Sequence, residues 1–143
     1  MKRTLRPLPP PPPPPSLLER TVIAEFANAG VFEKLLRVNP GVVVVMMSTP
    51  GCVHCRTIEP IVHAFFASLP QQAVCCDLSA ATSPDLYGVL KRKRMVVAFP
   101  TLLLYVRGNE SLIPDDSVMG ADPHALELFF DRVKIMAAAA AKR

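Results

Sequence analysis

Hydrophobic positions along the chain fall into two patterns. The run Val42-Val43-Val44-Val45-Met46-Met47 is continuous and ends in the turn formers Ser48-Thr49-Pro50-Gly51. A short apolar run bounded by turn residues predicts a central strand buried on both faces. From Arg56 to Phe66 the apolar residues instead recur at helical spacing, predicting a helix that Leu69-Pro70 closes. Elsewhere, Val22 to Phe26 predicts a first strand, and Val31, Phe32, Leu35, Leu36 and Val38 a helix terminated by Asn39-Pro40-Gly41. Ala73 to Leu78 predicts another strand, and Ser83-Pro84-Asp85 opens a helix through Leu86, Tyr87, Val89 and Leu90. After Phe99-Pro100, Thr101 to Val106 predicts a strand, Arg107 to Glu110 a turn, and Ser111-Leu112-Ile113 its antiparallel partner. Asp122-Pro123 starts a last helix carrying Leu126, Phe129, Phe130 and Val133.

That order of elements predicts an α/β fold, a mixed central sheet flanked by helices, with right-handed crossovers where strands run parallel. Residues 19–136 form the expected single domain. Residues 1–18 are expected as a disordered proline-rich tail in polyproline II conformation, serving as a spacer. Residues 137–143 are expected as an alanine-rich C-terminal extension.

Composition narrows the function classes. Half of the 143 residues are hydrophobic, yet no apolar run approaches the roughly 20 residues that span a bilayer, so no membrane association is expected. The basic start Met1-Lys2-Arg3-Thr4-Leu5-Arg6 is followed by Pro7, Leu8 and the run Pro9 to Pro15, not by the apolar helix of a signal peptide. A cytoplasmic, reducing location is therefore the expectation, and cysteines there are more often catalytic or metal-binding than structural. The net charge is +4, with one dense basic run, Lys91-Arg92-Lys93-Arg94, that no aromatic residue interrupts. A solvated helix end accounts for it, and nucleic acid is not the expected partner.

Cys52-Val53-His54-Cys55 carries the chemistry. Two cysteines separated by two residues can exchange a disulfide within one tight turn, and the predicted strand-to-helix junction puts Cys52 at a helix N-terminus. There, free backbone N–H groups and the helix dipole stabilise a thiolate, the reactive form. Cys75 and Cys76 are adjacent, so in a strand they point to opposite faces and serve as small apolar fillers. His63 and His124 are expected at the surface or at its boundary.

Three motifs at matching spacing make residues 21–136 resemble the thioredoxin superfamily: Cys52-x-x-Cys55 after the buried strand, Pro60 five residues on, and Phe99-Pro100-Thr101-Leu102-Leu103-Leu104-Tyr105. Gly108 and Gly120 fall where the family's hairpin and late glycines sit. The resemblance implies a thioredoxin fold and a protein-disulfide oxidoreductase in which Cys52 attacks and Cys55 resolves. It also implies a cis peptide before Pro100, where Phe99 and Pro100 bind a substrate strand. Around the cysteines the segment is similar to protein disulfide isomerase domains, which place histidine where His54 stands; that histidine favours the thiolate and a more oxidising disulfide. The implied partners are protein thiols and disulfides as substrates and a reductase or small thiol as electron donor. No cofactor is expected, and the protein is expected to be a monomer.

Departures from the family pattern keep other readings open. Gly51 replaces the family's tryptophan, and Met46 replaces its buried acid, with Ala73 expected where the acid's lysine partner sits. These losses suit a binding module with weakened catalysis. A metal site built from Cys52, Cys55 and either His54 or His63 is a third reading, short of the four convergent ligands a structural zinc site needs; no metal is expected.

Overall fold

The structure is a computed structural model that describes residues 21–141, so the expected tail at 1–18 lies outside the described residues. Eight elements follow one another: α1 (Ala29–Arg37), β1 (Val42–Ser48), α2 (Val53–Ser68), β2 (Ala73–Ser79), α3 (Pro84–Arg92), β3 (Thr101–Val106), β4 (Asp116–Met119) and α4 (Pro123–Ala141). The sheet order is β2-β1-β3-β4. β1 runs parallel to β2 through the α2 crossover and antiparallel to β3, which pairs antiparallel with β4.

The continuous apolar run of β1 is explained by two covered faces. Val42, Val44 and Met46 join Cys75, Leu102 and Leu104 against α2 and α4, while Val43, Val45 and Met47 join Cys76, Leu103 and Tyr105 against α1 and α3. Every β1 residue from Val42 to Met47 is at most 1% exposed, as a central strand between two helical layers requires. Cys75 and Cys76 point to opposite layers, as their adjacency in a strand dictates.

Two expected strands are corrected. Val22–Phe26 contributes a single parallel bridge, Ile23 to Cys76, at the β2 edge. Beyond it the Phe26 N–H donates to the buried Ser83 Oγ at 3.0 Å and Asn28 caps α1, so the chain leaves the edge before a ladder forms. Ser111–Ile113 is not the hairpin partner of β3; β4 is Asp116–Met119. The Ser111 N–H donates to Asn109 Oδ1 and the Ile113 N–H to Ser111 Oγ, so side chains take the bonds a ladder would use. Residues 137–141, expected as an extension, are the last turns of α4, with Ala137 and Ala140 buried and the Ala140 carbonyl accepting from Arg107 at 3.1 Å.

Candidate functional site

β1 ends at Ser48, and the chain turns through Thr49, Pro50 and Gly51 into α2. Gly51 holds φ +78°, a left-handed backbone that a side chain adopts only with strain. That conformation agrees with a glycine where the family has tryptophan. Cys52 is the N-cap of α2: its backbone is extended, and its Sγ accepts the Cys55 N–H at 3.1 Å. The Cys52 carbonyl accepts the Arg56 N–H at 3.3 Å, closing the first turn. The sulfur therefore sits where unpaired N–H groups converge, which favours negative charge on it.

Cys52 and Cys55 are joined in a disulfide, with Cα atoms 5.3 Å apart. The two are not equivalent. Cys52 is partly exposed whereas Cys55 is only 4% exposed and packs with Met46 and Ile58 in the core. An incoming sulfur therefore meets Cys52 more readily than Cys55. His54 is exposed in the first turn, and Pro60 lies within α2, on its exposed side.

The Phe99–Pro100 peptide is cis. Pro100 is buried and its carbonyl accepts the Gly120 N–H at 2.8 Å; Phe99 is partly exposed and touches both core layers. Because β3 pairs antiparallel with β1 through Met47 and Thr101, the start of β3 lies beside the end of β1. Topology thus brings Pro100 to the end of the sheet that carries Cys52, although the two are nearly fifty residues apart in sequence.

The expected charge vacancy needs correcting. The register places Asp77, not Ala73, beside Met46, while Ala73 pairs with Val42. Met46 is buried, and the Asp77 carboxylate instead meets His63 Nε2 from α2 at 2.7 Å. His63 is at the surface as expected, but it is held. Glu59 completes a group with His63 and Asp77 whose donor atoms lie within 4.8 Å of one another. Among the described residues, this is the donor set that gathers; Cys52, Cys55, His54 and His63 are not brought together. The Glu59 to His63 spacing was visible in the sequence as one helix face, but its meeting with Asp77 depends on how α2 packs over β2.

The other cysteines are chemically quiet. Burial, with a smaller contribution from Cys75, pushes the Cys76 thiol far above the ordinary thiol range. His124 is exposed in the first turn of α4, and no helix among the described residues is long and apolar enough to cross a membrane.

The family profile described as Thioredoxin matches residues 22–131. Thioredoxin-1 of Saccharomyces cerevisiae is 30% identical over 106 residues, covering 74% of this chain and 93% of the yeast protein. Among solved structures, Fasciola hepatica thioredoxin is 25% identical with a TM-score of 0.63, covering 78% of this chain and all of its own. Trichomonas vaginalis thioredoxin has the same TM-score at 14% identity, covering 79% of this chain and 97% of that one, a likeness of fold. Profile, yeast relative and site geometry agree that the chain belongs to the thioredoxin family.

Proposed function

We propose that the protein is a thiol–disulfide oxidoreductase for protein disulfides, with Cys52 as nucleophile and Cys55 as resolving thiol. The observation that carries this reading is the pairing of a reachable sulfur at a helix N-cap with a buried one three residues on. In the reductive direction the Cys52 thiolate attacks one sulfur of the substrate disulfide. A mixed disulfide forms and the other substrate sulfur leaves as a thiolate. Cys55, deprotonated, then attacks Cys52 Sγ, closing the 52–55 disulfide and releasing the second substrate thiolate. Two electrons pass to the substrate, and a reductase or a small thiol restores the dithiol. Phe99 and Pro100 are assigned to the substrate strand, and His54 to favouring the thiolate, in the manner of a protein disulfide isomerase domain. The protein acts as a monomer in the cytoplasm, without a cofactor.

Insulin reduction by dithiothreitol tests the reading. Acceleration by the wild type that Cys52→Ser abolishes is expected; no acceleration by either refutes it. The apolar Met46 favours a second reading, a binding module, which predicts that second outcome with the fold intact.

A further inference from the structure

Lys91, Arg92, Lys93 and Arg94 are all exposed, and among the described residues none is ion-paired: the pairs there are Arg37–Glu110, His63–Asp77 and Arg132–Asp116. Helix-end electrostatics accounts for Lys91 and Arg92, which lie in the last turn of α3. It does not account for Arg94. The Met95 N–H donates to the Leu90 carbonyl at 2.8 Å and the Arg94 N–H to the Lys91 carbonyl at 3.0 Å, so α3 ends in a Schellman motif. Arg94 holds the left-handed position of that motif, at φ 59°, where glycine is the usual and less strained occupant. An arginine there serves the helix worse than glycine would.

Its side chain instead joins Lys91, Arg92, Tyr87, Val96 and Val97 around an open cleft of about 360 Å³. Lys91 Nζ lies 5.9 Å from the centre of the Tyr87 ring. Tyr87 also contacts Phe99, the residue before Pro100, at 5.4 Å between ring centres. Val97 stands only two residues before Phe99. The cationic cleft and the segment assigned to the substrate strand therefore share a wall.

We propose that this cleft receives an acidic segment next to the target disulfide, so that the protein selects acidic protein substrates. The proposal rests on the oxidoreductase reading. Carboxylates of the bound segment meet Lys91, Arg92 and Arg94, and its aliphatic parts lie over Val97, which is 58% exposed. Charges at such an open rim act mainly on encounter and are screened by salt, so the selectivity belongs in kcat/KM at low ionic strength.

The test uses three peptides sharing one disulfide loop, flanked by aspartates, serines or lysines, with the full chain and dithiothreitol as reductant. At low salt the wild type is expected to favour the acidic over the neutral peptide about tenfold in kcat/KM, as expected for three exposed charge pairs, most of it lost at 0.5 M salt. In Lys91→Gln/Arg92→Gln/Arg94→Gln the acidic-to-neutral ratio should fall to about one. Arg94→Gly, which relieves backbone strain, should lower the ratio by itself in a folded protein. A wild-type ratio near one, or a ratio retained in the triple variant, overturns the proposal while leaving the oxidoreductase reading standing. A ratio near one together with tight binding of a DNA or RNA oligonucleotide assigns the cations to nucleic acid and equally overturns it. Failure of the wild type to reduce any of the peptides overturns both.

Discussion

Arg94→Gly should stabilise the protein while weakening its hold on acidic substrates. A non-glycine residue in the left-handed region costs about 1–2 kcal/mol, and Arg94 occupies it at φ 59°. Glycine removes that cost but loses more chain entropy on folding, about 0.5–1 kcal/mol. The Schellman bonds from Met95 and Arg94 are backbone bonds and survive the substitution. Removing one of four adjacent cations that form no ion pair among the described residues adds a small further gain. The net stabilisation is about 0.5–1 kcal/mol, a rise in Tm of about 2–5 °C for a domain of this size. Thermal and urea unfolding of the oxidised protein measure it. An unchanged or lowered midpoint would show that the Arg94 side chain stabilises the fold, and that the strain argument for its placement is wrong.

Further outcomes follow from individual contacts. Met46→Asp would bury a second carboxylate beside Asp77, whose own neighbours His63 and Glu59 already include one carboxylate, and should cost about 3 kcal/mol at neutral pH by urea unfolding; wild-type stability would refute this. Tyr105→Phe removes the buried bond from the phenol to the Leu112 carbonyl, 2.7 Å long, and should cost about 1–2 kcal/mol by the same assay. Iodoacetamide should modify Cys52 first in the reduced native protein and reach Cys76 only after unfolding, as mapped by peptide mass spectrometry. The raised Cys76 pKa carries a sign: above about pH 8.5 the unfolded thiol loses its proton and the folded one keeps it. Stability should therefore fall as pH rises past that point, by up to about 1.4 kcal/mol per unit, and Cys76→Ala should flatten the slope of the urea midpoint against pH.

Elements whose signal is local were legible in the sequence. The strand at Val42–Met47, the helix after Cys52 and the strand at Thr101–Val106 each carry their own period and their own breakers. So does the placement of Cys52 at a helix start, because capping is decided within a few residues. What depended on packing was not legible. β4 alternates half-buried and exposed residues, Asp116-Ser117-Val118-Met119, and its apolar signal is weaker than that of the Ser111–Ile113 segment before it. The partner of Met46 was misplaced by four residues because strand register is set by the sheet, not by the composition of β2. His63 gave no sign of Asp77, and Arg94 no sign of its backbone, since both depend on how a helix ends or packs.

The reactivity of Cys52 is tested most directly by the pH dependence of its alkylation by iodoacetamide in the reduced protein, followed residue by residue. With the sulfur capping α2 and facing its free N–H groups, the rate should level off well below the pH at which ordinary thiols ionise, about 8.5. A rate that keeps climbing to that pH or beyond, or modification of Cys55 ahead of Cys52, would contradict Cys52 as the attacking group.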